Sequence, residues 1–520
     1  MSLARNVATV GSATLLSRLL GFFRDVGIAA VLGAGVLSDA YFAALQIPNL
    51  FRRLLAEGAL NSAFVPMWLR IRDEGGRAKA KRFGEETLGT MIAGLGLIAI
   101  VSMIFAPTVI RLLAPGFSEG GERYALAVHY IQLSMPYVAL AGMIAVAASV
   151  LNAEGRVGAA AIGIIVFNGV MVAAVLIVLA LGANASSFAG AILSVSIAVA
   201  GLVQLITVIG GLLRRPRPPL RPRFVPSRDV RHFFAQVGPG VFAGGVPQLK
   251  LMAGAMVASS SQASVSWLYY ANRLYELPLG VVSIAIASVL VPLIAASVRD
   301  RNTKRIAAAQ SRAFEIALGL ALPSAVAFAL LAEPIAGGLF ERGAFGPRDT
   351  AAVAAALAAI SAGLPGHVLE KVLGAVSFAH EDTRTPMIAA LCGLATATAG
   401  ALLLFPTHGH VGIAAAIAFS GWVGATILGI VLLRRKWLRL DGDGWKRLPR
   451  IVIATAIMAA IIHVLDMTLR SSFDLQDVQL VRILLLAALV IAGLVSYLVA
   501  LQALGVAKMS EILAAVRDKF

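Results

Sequence analysis

Apolar runs of about 20 residues recur from one end of the chain to the other, and nothing else in the sequence restricts the fold so strongly. Each run is long enough to cross a hydrocarbon layer of ~30 Å as a helix rising about 1.5 Å per residue. In lipid every backbone N–H and C=O must find its partner inside the protein, so a chain built this way spans as α-helices. Of its 520 residues 59% are hydrophobic and 14% charged, against roughly 25% charged in soluble domains. The charged surface that a soluble enzyme of this length needs is missing. The fold class is therefore all-α and polytopic.

Fourteen transmembrane helices are predicted. They run near 5–33, 36–69, 84–114, 123–153, 157–183, 187–213, 230–261, 263–298, 305–337, 348–378, 385–406, 410–433, 447–466 and 480–505. The first run is interrupted by Arg18 and lacks a small-residue cleavage site, so it reads as a span and not a removed signal peptide. Cys392, the single cysteine, lies in an apolar run and is expected to pack there; no intramolecular disulfide is possible.

The net charge of +17 does not point to nucleic acid, because the bases sit between spans. The 70–82 loop holds Arg70, Arg72, Arg77, Lys79, Lys81 and Arg82; the 214–231 segment holds seven arginines and 434–450 seven more bases. Loops 183–187, 259–264 and 407–410 hold no Lys or Arg, 114–123 only Arg123, and 338–348 only Arg342 and Arg348. By the positive-inside rule, both termini are expected in the cytoplasm.

The sequence also resembles itself at an offset of about 227 residues. "AFVPMWLRIRD" (63–73) pairs with "VLVPLIAASVRD" (289–300), and "APTVIRLLAPGF" (106–117) with "AEPIAGGLFERGAF" (332–345). "LNAEGR" (151–156) pairs with "FAHEDTR" (378–384), and "LLRR" closes both units. Six spans per unit is an even number, so both units enter the membrane from the same side, as parallel repeats. The expected organisation is an N-terminal six-helix lobe (1–215), a basic proline-rich linker (216–229), a C-terminal six-helix lobe (230–436) and two extra spans with a tail (437–520). Such repeats commonly build alternating-access transporters; a structural membrane protein is the plainer alternative.

Charges inside the spans favour the transporter. Span 1 carries Arg18, Arg24 and Asp25; span 2 carries Asp39, Arg52, Arg53 and Glu57; span 7 carries Lys250; span 8 carries Arg273 and Glu276. At about 1.5 Å per residue Arg18 lies about 20 Å into its span, Arg52 about 24 Å and Arg273 about 15 Å. An ionised group near mid-depth costs ~2.5–3.5 kcal/mol unless water or a partner receives it. Plainer readings exist for each. Arg52 and Arg53 can flank a shorter span, Arg273 can pair with Glu276 one turn on, and Lys250 can snorkel. Arg24 can pair with Asp25, although adjacent helical residues point about 100° apart. Together, however, the arginines outnumber the acids and come from both units. The economical expectation is a cationic cavity for an anionic ligand, with guanidinium suited to bidentate phosphate. Gly21, Pro48, Pro66 and Pro278 supply breaks in these spans.

At these residues the sequence resembles the MurJ (MviN) lipid II flippase family of the multidrug/oligosaccharidyl-lipid/polysaccharide exporter superfamily. The matching text is "SRLLGFFRD", "GAGVLSDAYFAALQIPNLFRRLLAEGALNSAFVP", "LAPGF" and "SVSWLYYANRLYELPLGVV". The resemblance implies movement of the undecaprenyl-pyrophosphate-linked peptidoglycan precursor (lipid II) to the outer leaflet of the bacterial cytoplasmic membrane. It also implies a substrate-binding cluster of Arg18, Arg24, Arg52 and Arg273. Ser17, Asp25, Asp39, Asn49, Glu57, Ser266 and Glu276 would be supporting or gating residues, with Arg53 and Lys250 as further cavity candidates. The last two helices would form a groove for the lipid tail. Membrane lipids and the cell-wall synthesis or division machinery are the other implied partners. Some relatives bind sodium through acids and amides on spans 7 and 11. Here 237–261 has no acid and carries Lys250, and 386–406 has no Asp, Glu or Asn. No cofactor and no sodium site of that kind are expected; the membrane potential or another coupling ion is. Asn272 stands where many relatives carry an aspartate.

Rival functions fit less well. A drug/cation antiporter of the same superfamily calls for cavity acids. A flippase for another polyprenyl-pyrophosphate-linked glycan would share the arginines. A membrane enzyme finds no GxxxxGK[ST] loop and no HExxH pair. His408 and His410 sit in a short turn, and His367 with Glu370 lies one turn apart on an apolar span, an arrangement of packing more than of ligation.

Overall fold

The computed structural model describes residues 3–56, 59–214, 218–219, 221–286, 291–299, 302–474 and 479–506. Glu57, among the expected gating residues, lies outside them. Helices are the only regular structure among the described residues. In chain order they are α1 (Leu3–Leu32), α2 (Val36–Ala44), α3 (Gln46–Ala56), α4 (Ala59–Ile104), α5 (Ala106–Leu113), α6 (Glu122–Ser134) and α7 (Pro136–Ala153). Next come α8 (Val157–Ala180), α9 (Ser187–Leu213), α10 (Arg228–Ala258), α11 (Ser264–Ala285), α12 (Val291–Arg299) and α13 (Thr303–Leu330). The chain continues through α14 (Ala332–Phe340), α15 (Pro347–Ser361), α16 (Leu364–Ala379), α17 (Arg384–Arg434), α18 (Gly442–Asp474) and α19 (Gln479–Ala503).

Two of these helices reverse direction inside their bounds. Gly76 in α4 and Gly409 in α17 have φ of 77° and 54°, a left-handed region open to glycine at no steric cost. On either side of Gly76, Phe64 stacks on Phe83 with ring centroids 5.3 Å apart. On either side of Gly409, a β-carbon on Gly400 would meet that of Ala416 at 2.9 Å. Each helix is thus a pair of antiparallel arms. A straight helix of 51 residues would be about 75 Å long, far beyond a bilayer.

Proline acts unevenly. The chain breaks at Leu45, between α2 and α3, where Pro48 has no N–H to offer the Ala44 carbonyl. Pro66 and Pro278 lie within continuous helices, as does Gly21.

The helix order repeats along the chain. A short helix (α5, then α14) precedes a crossing split in two (α6 with α7, then α15 with α16), and an antiparallel pair follows (α8 with α9, then the arms of α17). Among the described residues nine helical stretches are long and apolar enough to span a membrane. The helices with the candidate arginines, α1, α3 and α11, are not among them. Leu176, Ile177, Leu202, Leu403, Leu494 and Val499 are exposed, forming surfaces that lipid would cover.

The contacts divide the chain into two compact units: 1–266 with 342–346, and 267–341 with 347–520. In the first, α4 packs on α7, α1 on α8 and α10 on α3 and α4. Phe64, Phe83 and Phe233 meet at ring distances of 5.3–5.9 Å. The described part of the proline-rich linker lies against α4. Arg223 donates Nε to Glu85 Oε2 at 3.0 Å and its amide to the Glu85 carbonyl, while the Ser227 amide donates to Glu86. In the second unit, α18 packs on α13 and α19. Tyr497 donates to the Gly319 carbonyl at 2.7 Å, and Arg482 pairs with Glu341 at 2.8 Å. Cys392 is exposed on the first arm of α17, so the packing expected of it is corrected; an apolar thiol is at ease on a lipid-facing surface.

Candidate functional site

In the first unit the charges of α1 are tied to α8. Arg24 donates Nε and Nη2 to Asp25 Oδ1, at 2.9 and 2.7 Å. Its Nη1 reaches Asn168 Oδ1 at 3.1 Å. Asn168 passes the constraint on, donating Nδ2 to the hydroxyl and the carbonyl of Ser17 at 3.0 and 3.2 Å. Asp25 is fully buried, while the Arg24 side chain keeps 13% exposure. The geometric objection to an Arg24–Asp25 pair is thereby corrected. The arginine side chain is long and flexible enough to curl across the gap between adjacent Cβ directions. Arg18 is exposed on the same helix.

Arg52 joins this neighbourhood from α3, which packs on α7. Arg24 and Arg52 both lie within electrostatic range of the buried Tyr137 hydroxyl on α7, and the Tyr137 ring lies 5.5 Å from Phe167, next to Asn168. Asn49 and Arg53 are half-buried on α3. Lys250 of α10 is 6% exposed, buried and not reaching outward as a snorkelling lysine would.

A second cluster joins α2 to the start of α11. Asp39 is buried completely. Its Oδ2 accepts the Ala263 amide at 2.7 Å, and its Oδ1 accepts the Ser266 amide at 3.0 Å and the Ser266 hydroxyl. Asp39 thereby satisfies N–H groups that the first turn of α11 leaves unpaired, and its charge suits a helix N-terminus. Ser38 Oγ is 2.9 Å from Ser266 Oγ. Arg123 stands 3.6 Å from Asp39 Oδ2, donates to the Ser259 carbonyl and lies over the Phe117 ring. The "LAPGF" motif belongs here too. The Gly116 amide donates to Ser259 Oγ at 2.8 Å, and a β-carbon on Gly116 would strike the Ser260 amide nitrogen at 2.2 Å.

In the second unit Glu276 receives Arg273 at 3.6 Å and the Asn272 amide at 3.1 Å. The paired reading of Arg273 and Glu276 is thus realised, with Asn272 as a second donor. The two histidines of "THGH" diverge. His410 contacts the Ala352 carbonyl at 3.0 Å and lies 4.8 Å from the Trp267 ring, whereas His408 meets Thr407.

The resemblance implied Ser17, Asp25, Asp39 and Ser266 as supporting or gating residues without grouping them. The structure groups them and adds Asn168, Tyr137, Arg123, Ser38 and Ser259. Asn168 left a readable signal, as the sole polar side chain in 157–183. The serines left none.

A family model described as "Lipid II flippase MurJ" matches residues 28–486. The chain belongs to the MurJ lipid II flippase family. A probable lipid II flippase MurJ of Rhizobium meliloti (strain 1021) is 39% identical over 99% of this chain and 97% of its own length. The lipid II flippase MurJ of Burkholderia cenocepacia is 30% identical over 89% of this chain and 90% of its own. The fold matches a solved lipid II flippase MurJ in an inward closed conformation with a TM-score of 0.77, at 24% identity, over 94% of this chain and 97% of that one. An inward-facing multidrug resistance MATE family transporter of the MOP superfamily shares the fold at a TM-score of 0.67 and 17% identity, over 81% and 94%. Membership of the MurJ family makes this chain a multi-pass membrane transporter and not an enzyme.

Proposed function

We propose that the chain moves lipid II from the inner to the outer leaflet of the bacterial cytoplasmic membrane by alternating access. Arg18, Arg24, Arg52 and Arg273 serve as ligands of the pyrophosphate during the cycle, which runs through fourteen spans with both termini cytoplasmic. The observation that carries this reading is the mounting of Arg24, held by Asp25 and Asn168 on a helix expected to span, with part of its guanidinium left accessible. A planar cation fixed in this way is pre-organised for a phosphate oxygen. The binding groups face the inner leaflet first and the outer leaflet later, while the polyprenyl tail stays in lipid. An inside-negative potential favours outward passage of the anionic headgroup by roughly 2.3 kcal/mol per charge per 100 mV. Asp39, Ser266 and Arg123 act as a joint at the start of α11.

The test is flipping of fluorescent lipid II by the full chain in vesicles under an imposed potential. Arg24→Ala and Arg273→Ala are expected to insert normally and to lose at least 100-fold in rate. Normal flipping by either variant rejects the arginine reading.

A further inference from the structure

The second unit holds a pair of titratable side chains that the arginine site does not use. His367 and Glu370 lie one helical turn apart on α16, inside the candidate span Pro347–Ala379. His367 Nδ1 is 2.7 Å from the Tyr275 hydroxyl of α11 and 3.1 Å from the Gly363 carbonyl oxygen. The facing helix α17 carries Gly421 and Gly424, with the same spacing. A β-carbon on Gly421 would stand 2.7 Å from the imidazole, and one on Gly424 2.7 Å from the Glu370 carboxyl carbon. Two titratable groups thus occupy the room made by two absent side chains. Packing alone would fill that room with aliphatic groups and avoid the cost of burying polar ones.

We propose that His367 and Glu370 form a proton-binding site whose occupancy is coupled to α11, a role that rests on the flippase reading above. Imidazole is the side chain that changes charge near neutral pH. In the neutral tautomer with its hydrogen on Nε2, Nδ1 accepts the Tyr275 hydroxyl hydrogen. In the imidazolium both nitrogens carry hydrogen, so Nδ1 must donate, to the Tyr275 oxygen or the Gly363 carbonyl, and the phenol hydrogen must turn to another acceptor. Tyr275 lies between Arg273 and Glu276 in the sequence of α11, so binding one proton rewires a contact made by the arginine-bearing helix. Releasing that proton restores it.

The groups facing the pair fit this role. Glu276 of α11 and Glu370 itself lie within electrostatic range of the Tyr275 hydroxyl, and Lys371 follows on α16. From α17 the facing residues are Gly421 and Gly424. Of the other helices packed on α16, α13 carries Glu315, engaged by Arg312 and Arg447 at 3.3 and 3.4 Å, and α12 ends in the exposed Arg299.

The experiment uses the full chain in vesicles, with fluorescent lipid II and a pH difference imposed at zero potential, together with proton uptake by the lipid-free protein read with a pH dye. The unaltered chain is expected to change its flipping rate about tenfold between pH 6 and 8 on one side, and to take up about one proton. His367→Gln should flatten the pH dependence to within twofold and abolish the uptake. Glu370→Gln, which conserves volume, should shift the uptake to lower pH. A His367→Gln chain with unchanged uptake and pH dependence overturns the proposal. So does an unaltered chain that flips lipid II indifferently to pH, which leaves the flippase reading intact. Proton uptake without any flipping overturns the flippase reading alone.

Discussion

Two aspartates of the first unit are buried to the same extent and engaged in opposite ways. Asp25 is neutralised by the guanidinium beside it in sequence, with an amide from α8 completing the network. Asp39 is met mainly by two backbone amides and one hydroxyl far away in the chain, with Arg123 standing off at 3.6 Å. The first arrangement holds a cation in place and leaves it partly accessible. The second spends its carboxylate on closing a helix end. A carboxylate held mainly by backbone N–H groups locks structure, whereas one held by a side chain aims that side chain.

Stability measurements on single variants can break this contrast. Asp39→Ala strands the Ala263 and Ser266 amides in a buried site and is expected to cost roughly 3–5 kcal/mol, read as a thermal shift of the detergent-solubilised chain. Asp25→Ala should cost less, roughly 1–2 kcal/mol, because Asn168 remains and part of Arg24 reaches solvent. Its transport loss should nevertheless be about 100-fold. Equal destabilisation by the two variants would show that Asp25 is as structural as Asp39. Asn168→Leu sharpens the comparison further. It removes one hydrogen bond from Arg24 and is expected to slow flipping about tenfold with ~1 kcal/mol of destabilisation. An unaffected rate would mean that Asp25 alone orients the arginine.

The smallest effect belongs to Asp382, in the turn between α16 and α17, a third aspartate that combines both modes. It accepts the Arg384 and Thr385 amides and pairs with Arg435. Burial pushes its carboxyl up, but the hydrogen bonds from Thr385 and Arg435 outweigh burial and hold it below the usual carboxylate range. A depressed folded-state value contributes stability that is present above about pH 4 and lost as pH falls through that value. Asp382→Asn should therefore cost about 1 kcal/mol at pH 7. Thermal melts of the variant and the unaltered chain should begin to converge as pH falls below about 4 and should meet once it has passed the depressed folded-state value; a gap that persists below that value would assign the effect to packing.

Much of this was legible in the sequence. Arg24, Arg52 and Arg273 stood out because charge inside an apolar run is costly wherever the run folds. The Arg273–Glu276 pair was readable because three-residue spacing places both on one helix face. The Arg24–Asp25 pair was harder to read, because the direction of a Cβ does not limit where a long side chain ends. The reversals at Gly76 and Gly409 were half legible. Each separates two runs that together are too long for one span, but composition does not reveal that the backbone stays helical almost up to the glycine.

The sequence by itself determined a helical, multi-pass membrane chain with a repeated helix order and misplaced cations. Hydrophobicity adds up along a local run, so it survives any arrangement of the runs in space. Only the tertiary structure decided the partners: Asn168 for Arg24, the first turn of α11 for Asp39, and glycines of α17 opposite His367 and Glu370. A hydrogen bond of about 3 Å between groups more than a hundred residues apart depends on how helices pack, and no local pattern encodes that distance.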